Sequence, residues 1–145
     1  MDVLTKPAVT IRQVEFADLP ALYPCLVAMR KSSGYRIIPT QDDPFEALYW
    51  VYRQMQDERS CLLVAVEDDK IVGLCGGSVT DFHMLADFPH LWEWAWWSEE
   101  PRIAASLWRH LKSWAKARGA KGCVYGKSQA TSETTCEETL YWRVW

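Results

Sequence analysis

The spacing of apolar residues along the first half of the chain predicts one strand followed by two helices. Residues 10–14 are expected to form the strand, and Asp18 is the expected N-cap of a helix that runs to about Arg30. Apolar side chains recur every three or four positions in that helix. A second helix is predicted to start at residues 42–44, where two acids precede a proline that suits the first helical position.

The second half predicts a hairpin, a β-α-β unit and a tail. The hairpin consists of residues 61–67 and 70–80 around a tight turn at Asp68–Asp69. The β-α-β unit consists of a strand at 90–97, a helix at 102–118 closed by a glycine, and a strand at 122–126. The tail, residues 131–145, is predicted to be mostly helical. Residues 35–40 and 81–89 are predicted connections, the latter a loop or short helix. Glycines at 73, 76 and 77 indicate a bulge or a close backbone approach. The order β-α-α-β-β-β-α-β-α favours a mixed sheet flanked by helices over a Rossmann-type sheet.

Composition narrows the class of protein. The 145 residues suit a single domain spanning 1–145, and 49% hydrophobic with 24% charged residues is typical of a globular protein. The net charge of −3 and the lack of a basic stripe argue against a nucleic-acid binder. No apolar run approaches the ~20 residues of a membrane helix, and the first residues do not resemble a signal peptide.

Cysteine and histidine spacing predicts no metal site. The five cysteines include no CxxC pair, and the three histidines lack ligand spacing. Reduced thiols in a cytoplasm are therefore expected. Cys123 is predicted to be a packing residue, since no histidine or lysine partner is identifiable near it.

Four stretches carry a resemblance to a known family. They are IRQVEFADLPAL at 11–22, VAVEDDKIVG at 64–73, WAKARGAK at 114–121 and LYWRVW at 140–145. Taken with the element order, they resemble the GNAT (acyl-CoA N-acyltransferase) superfamily. The pair Trp96–Trp97, together with the helix end at 114–121, is most similar to the GNAT-like proteins of tailed bacteriophages.

The resemblance implies an α+β fold with a central mixed, mostly antiparallel sheet flanked by helices. Residues 140–145 are similar to part of the family's fourth helix, and the usual sixth and seventh strands are expected to be absent, so that the fold is truncated at its C-terminus. An aromatic surface around Tyr141, Trp142, Val144 and Trp145 is then expected to need a partner, either a second copy or another protein.

The resemblance also implies acetyl-CoA as cofactor, bound at the start of the third helix, where backbone N–H groups and the helix dipole favour phosphate. The implied binding residues are Trp97, Ser98, Arg102, Ile103, Ala104, Ala105 and Ser106. The position of the family's first glycine is occupied by Arg102 or is deleted here, and Glu99 and Glu100 would repel phosphate. In the alternative interpretation these acids, with Pro101 at the first position, are ordinary helix N-terminal residues and nothing binds.

Two catalytic residues follow from the resemblance. Glu93, a lone acid between tryptophans on the fourth strand, matches the family's general base, and its surroundings suggest a raised pKa. Tyr141 matches the tyrosine that protonates the leaving thiolate. The alternatives are a solvated or ion-paired glutamate and an ordinary tyrosine of an amphipathic helix.

Strict strand alternation predicts Leu91, Glu93, Ala95 and Trp97 on one face of this strand and Trp92, Trp94 and Trp96 on the other. The three tryptophans could line an acceptor pocket, or they could belong to the core or an interface.

Two functions remain open from the sequence. The first is direct transfer of acetyl from acetyl-CoA to the primary amine of a small molecule or protein, with a backbone donor near residues 95–97 as the oxyanion hole. The second is a GNAT-fold protein without catalysis, acting as a virion or assembly component or as an inhibitor of a host protein. Neither implies nucleic acid or membrane as a partner, and the expected location is the cytoplasm or, for a structural phage protein, the virion.

Overall fold

The computed structural model describes residues 8–33, 43–81 and 87–145. The connection predicted at 35–40 and most of the one predicted at 81–89 lie outside these residues. The elements are β1 (Thr10–Gln13), α1 (Leu19–Lys31), α2 (Pro44–Met55), β2 (Ser60–Glu67), β3 (Lys70–Thr80), β4 (His90–Ser98), α3 (Pro101–Ala117), β5 (Gly122–Ala130) and β6 (Cys136–Val144), with a single 3₁₀ turn, Phe16–Asp18, before α1.

In the described parts of the chain, six strands form one sheet in the order β1-β2-β3-β4-β5-β6. All neighbours are antiparallel except β4 and β5, which are parallel and connected through α3. This α+β arrangement of a mixed, mostly antiparallel sheet with flanking helices is the predicted fold class. None of the helices in the described ranges is long and apolar enough to span a membrane.

Each face of the sheet carries its own core. Side chains of α3 such as Leu107 and Leu111 pack on one face, against a set that includes Ala65 and Cys75. On the other face, α1 and α2 pack against the alternate residues of the same strands, including Val64 and Leu74. Consecutive strand residues thus belong to opposite cores, as the period of two requires.

Local signals place the helices and turns where the sequence predicts them. The Asp43 carboxylate caps α2 by accepting a hydrogen bond from the Phe45 N–H at 2.9 Å. Asp68 and Asp69 both have positive φ, 51° and 59°, which suits a two-residue hairpin turn. Gly119 has φ 85° just after α3, as expected of a closing glycine.

Asp18 occupies the predicted N-cap position of α1, but its carboxylate has other partners. It accepts the Glu15 N–H at 2.7 Å and both terminal nitrogens of Arg12, at 2.6 and 2.8 Å. The hydrogen bond from Arg12 lowers the pKa of Asp18. This residue therefore connects the end of β1 to the start of α1.

The mostly helical tail predicted at 131–145 is wrong. Residues 136–144 form β6, an antiparallel partner of β5 in continuous register from Gly122↔Val144 to Ala130↔Cys136. Ser132 shapes the connecting turn, since its Oγ accepts hydrogen bonds from the N–H groups of Thr134 and Thr135. The similarity of 140–145 to a fourth helix was misleading, and the sixth strand expected to be absent is present.

Candidate active site

A cleft opens between β4 and β5, the parallel pair. The two strands, both fully described, pair at Leu91↔Cys123 and Trp92↔Val124 and then diverge, although β4 continues to Ser98 and β5 to Ala130. The space between them, here called the β4–β5 cleft, has a volume of about 400 Å³. Its walls are residues 92–96 of β4, residues 124–126 and 128 of β5, Glu138 and Leu140 of β6, and Met29, Arg30 and Ser33 near the end of α1.

A β-bulge in β4 explains where the cleft opens. Gly77 lies opposite Glu93 and Gly76 opposite Ala95, so Trp94 is an extra residue in β4. A bulge bends its strand and increases its twist, which turns β4 away from β5 just beyond their last pair. The glycine at 76 is required here, because a Cβ at this position would lie 2.6 Å from the Trp94 ring.

The bulge also corrects the predicted alternation of β4. Leu91 packs in the core under α3, whereas Ala95 and Trp97 pack in the core under α1 and α2, so they do not share a face. The extra residue reverses the alternation, a shift that a strict period of two cannot anticipate. The predicted common face of Leu91, Glu93, Ala95 and Trp97 is therefore wrong.

Glu93 is a wall residue of the cleft, adjacent to the bulge. Its burial raises the pKa of its carboxyl from 4.5 to about 7, a shift opposed by a hydrogen bond from the Gly126 N–H and increased by the charge of Glu138. A group with a pKa near 7 can accept and release a proton under ordinary conditions.

Glu138 is a second carboxylate in the cleft, and sequence reasoning missed it. A Cβ built on Gly126 would lie only 2.5 Å from Glu138 Oε1, so this glycine leaves the space that the carboxylate occupies. Glu93 and Glu138 are thus both neighbours of Gly126. No local signal marks Glu138, because only the pairing of β5 with β6 brings it to the cleft.

The start of α3 lies at the far end of β4, three residues beyond Ser98, so that a ligand lying along β4 would reach it. Pro101 has no backbone N–H, and the N–H groups of Ile103 and Ala104 both donate to the Glu100 carbonyl, at 3.1 and 3.2 Å. The Ser98 hydroxyl donates to the same carbonyl at 2.8 Å. These two N–H groups at the helix N-terminus therefore already donate within the protein, which leaves fewer donors for a ligand.

The charges around this N-terminus are paired. Arg102 contacts Glu100 at 2.5 Å and Glu67 at 3.2 Å, and Lys70 contacts Glu99 at 3.1 Å. These pairs reduce the repulsion that Glu99 and Glu100 would exert on a phosphate, but they also occupy the arginine predicted to bind it.

The comparisons with known proteins decide the family. Residues 29–134, well over half of the chain, match the acetyltransferase (GNAT) family. This chain belongs to the GNAT acetyltransferase family. Among curated protein sequences, none matches it.

Solved structures agree with the GNAT fold. A predicted acetyltransferase from Clostridium acetobutylicum, solved with acetyl-CoA, has a TM-score of 0.65 at 17% identity, covering 80% of this chain and 79% of its own. A ribosomal-protein-alanine N-acetyltransferase from Brucella melitensis has 0.66 at 21%, covering 84% and 76%. A PaiA N-acetyltransferase from Thermoplasma acidophilum, in complex with coenzyme A, has 0.62 at 16%, covering 86% and 82%.

The second predicted catalytic residue of this GNAT chain has a different location from the one expected. Tyr141 lies on β6, not on a helix, and is 40% exposed. Its ring stacks on Tyr125 at 5.3 Å and lies under Lys127. Tyr125 is a wall residue of the cleft and Tyr141 is not, so the Tyr141 ring lies behind that part of the wall. Its catalytic role stays a prediction.

The other predicted acetyl-CoA residues are spread along the end of β4 and the first turns of α3. Trp97 packs against the core under α1 and α2, Ile103 is buried in the opposite core, and Ala105 is exposed. The Ser106 carbonyl contacts the His110 ring nitrogen at 2.8 Å. Arg102 is the charged residue among these seven, and its guanidinium is paired with the carboxylates of Glu67 and Glu100.

The tryptophans of β4 fit both interpretations, a core or interface and a pocket wall. Trp94 donates from Nε1 to Ser78 Oγ at 2.9 Å and meets Trp50 edge-on, so it is part of the packing under α2. Trp96 is 41% exposed and stacks on Trp108 of α3. Yet Trp92, Trp94 and Trp96 also line the cleft. The same rings thus pack against helices and supply an aromatic wall.

Cysteine and metal chemistry are not indicated at this site. Cys123 is buried, as predicted, and burial raises the pKa of its thiol. Among the residues that the structure describes, no group of three histidine, cysteine or acidic side chains could hold a metal ion.

Proposed function

We propose that this chain is an acetyl-CoA-dependent N-acetyltransferase that transfers acetyl directly to a primary amine, with Glu93 as general base. The observation that carries the proposal is the position of this carboxyl, with a pKa of about 7, in the β4–β5 cleft. Membership of the GNAT family supplies the reaction class.

The cleft suits the acetyl donor implied by the family. Beyond Trp92 the edge of β4 faces the cleft rather than β5, so its peptide groups can pair with the amides of an extended pantetheine arm. Backbone N–H groups near residues 95–97 are candidates for the oxyanion hole. The far end of β4 leads to Arg102, which can meet a phosphate once it leaves Glu67 and Glu100. Acetyl-CoA supplies the acetyl group as an activated thioester.

The two carboxylates favour an amine as the acceptor. Glu93 and Glu138 place two carboxylates in the wall of the cleft, against one cationic side chain, Arg30, and carboxylates attract an ammonium group. An alkylammonium has a pKa near that of lysine, about 10.4, so Glu93 is a weak base toward it in the ground state. The ammonium has no lone pair, so the neutral fraction of the amine attacks the thioester carbonyl. The nitrogen of the resulting tetrahedral adduct is far more acidic, and a carboxylate with a pKa of about 7 can take its proton. The C–S bond then breaks, and coenzyme A would leave as its thiolate.

The test is a measurement of coenzyme A release from acetyl-CoA with a panel of primary amines, monoamines against polyamines and lysine peptides. The Glu93→Gln variant should lose kcat by about 10²–10⁴-fold, the contribution of a general base. Glu133→Gln, in the exposed turn before β6, is the matched control and should retain full activity. Turnover by Glu93→Gln at the rate of the unaltered protein would refute the assignment.

A second candidate function is a GNAT-fold binding protein without catalysis, for instance a virion or assembly component or an inhibitor. The pairing of Arg102 with Glu67 and Glu100 favours this function, because the side chain expected to bind phosphate already binds two carboxylates. Calorimetry with acetyl-CoA separates the two proposals. Binding with micromolar affinity supports the enzyme, and the lack of any heat at millimolar acetyl-CoA supports the binding protein.

A further inference from the structure

A second pocket lies beside the β4–β5 cleft, under helices α1 and α2. It is formed by parts of α1, α2, β2 and β4 and has a volume of about 260 Å³. Met29, Trp94 and Ala95 line both the cleft and this pocket, here called the α1–α2 pocket. The two spaces therefore lie side by side at the bulge of β4, where Trp94 is the extra residue.

The described walls of the α1–α2 pocket are hydrophobic throughout. Besides the three shared residues, they consist of Leu26, Ala47, Trp50, Val51 and Leu62. A charged group would lose its hydration in these surroundings, whereas a hydrocarbon group is stabilised by leaving water. An apolar cavity of about 150 Å³ can bind benzene, so this pocket has room for a short hydrocarbon chain.

The pocket and the second carboxylate of the cleft lie on opposite sides of β4. Glu138 belongs to β6, which lies beyond β5 in the sheet, whereas the pocket extends to Leu62 of β2 on the other side of β4. An ammonium group is attracted toward the carboxylates. The body of an amine acceptor is therefore expected on the Glu138 side, which leaves the pocket for another part of the reacting pair.

The residues shared between cleft and pocket indicate which part that is. Glu93, the proposed base for the amine nitrogen, lines the cleft but not the pocket. Ala95 lines both, and its backbone is among the candidates for the oxyanion hole that binds the thioester carbonyl. The substituent on the carbonyl carbon therefore lies nearer to the pocket than the amine does.

We propose that the α1–α2 pocket binds the hydrocarbon tail of the acyl group, so that the protein uses straight-chain acyl-CoA donors longer than acetyl. The inference rests on the proposed function and extends its donor, because acetyl would leave the pocket unfilled. The reaction itself is unchanged: the amine nitrogen forms a C–N bond with the carbonyl carbon, Glu93 takes the proton, and the C–S bond breaks to release coenzyme A.

The affinity for acyl-CoA, measured by calorimetry without any amine, tests the pocket directly. Each methylene group transferred from water into an apolar pocket strengthens binding by up to about fourfold. The dissociation constant should therefore fall stepwise from acetyl-CoA to butanoyl-CoA and hexanoyl-CoA. Steady-state measurements with one amine should show the same order in kcat/KM.

Variants of α2 change the size of the pocket. Ala47 lines the pocket but not the cleft, so Ala47→Phe should fill the pocket and remove most of the gain in affinity from acetyl-CoA to hexanoyl-CoA. Trp50→Ala enlarges the pocket from the same helix and should shift the preference to longer chains. Ala117→Phe, at an exposed alanine that ends α3, is the matched control and should keep the chain-length dependence of the unaltered protein.

The outcomes separate this inference from the proposed function. Affinity that rises with chain length, and no longer rises in Ala47→Phe, supports the pocket even if no amine is acylated, a result that would overturn the proposed catalysis alone. Affinity that does not rise overturns the inference even if acetyl is transferred, and the absence of binding by every acyl-CoA overturns both. If Ala47→Phe changes the ranking of amines but not of acyl chains, the pocket holds the acceptor and the inference is wrong.

Discussion

Replacement of Glu93 by glutamine should stabilise the fold at neutral and alkaline pH while it lowers the proposed activity. The free glutamate pKa is 4.5 and that of Glu93 is about 7, mainly because the folded protein buries the group. The folded state therefore binds the proton more tightly than the unfolded state, and its stability falls as the pH rises from 4.5 to 7. Above pH 7 the loss is complete and constant.

The magnitude follows from the shift. Each pKa unit corresponds to about 1.4 kcal/mol, so a shift from 4.5 to about 7 is worth about 3 kcal/mol in full. Part of this free-energy change occurs below pH 5, and contact of the side chain with solvent reduces it further. A change in unfolding free energy of about 2 kcal/mol is left between pH 5 and pH 8. Glutamine imitates the protonated acid in shape, and its Oε1 can still accept the Gly126 N–H.

Urea unfolding of the unaltered protein and of Glu93→Gln at pH 5 and pH 8 measures the effect. The difference in unfolding free energy between the two proteins should grow by about 2 kcal/mol at the higher pH, in favour of the variant. Titrating groups that do not interact with Glu93 cancel in this double difference, and Glu133→Gln should show no such change. A variant that gains no stability at pH 8 would refute the claim that Glu93 is a desolvated acid.

The remaining predictions concern other parts of the site. Glu100→Gln should release Arg102 from its shortest ion pair and raise the affinity for acetyl-CoA several-fold, measured by calorimetry at low salt; an unchanged affinity would separate Arg102 from phosphate binding. Gly76→Val should destabilise the protein by about 1–3 kcal/mol in urea unfolding, since its Cβ would overlap the Trp94 ring; wild-type stability would contradict the close approach. Tyr141→Phe should keep kcat within about twofold, because the ring stacks on the wall residue Tyr125 and is not itself a wall residue of the cleft; a loss of about 10²-fold would support its predicted role as acid.

Much of the fold could be predicted because its signals are local. The apolar spacing of Ile103, Leu107 and Leu111 indicates α3, and these residues are buried as expected. The proline at 44 marks the start of α2, and the pair Asp68–Asp69 marks the hairpin. Each signal depends on residues a few positions apart, where backbone preference and side-chain spacing decide the structure.

The predictions were wrong where residues distant in sequence determine the local structure. The segment 136–144 contains acids and apolar residues that fit a helix, but its pairing with all of β5 makes it a strand. That same pairing brings Glu138 to the cleft. The bulge at Trp94 is a similar case, because it depends on how β4 meets the glycines of β3. Glu67 reaches Arg102 across 35 positions of sequence, a contact that no local pattern indicates.

The bulge and β6 together give Glu93 its chemistry. Without the extra residue in β4, the strand would continue beside β5, and backbone pairing would fill the space that is now the cleft. Without β6, the carboxylate of Glu138 would be missing, and with it part of the repulsion that raises the pKa of Glu93. A family member with an altered N-terminus of α3 can therefore keep the proposed base, Glu93, because the surroundings of Glu93 depend on the sheet. The loss or survival of activity then depends on whether Arg102 or the cleft itself holds the acetyl donor.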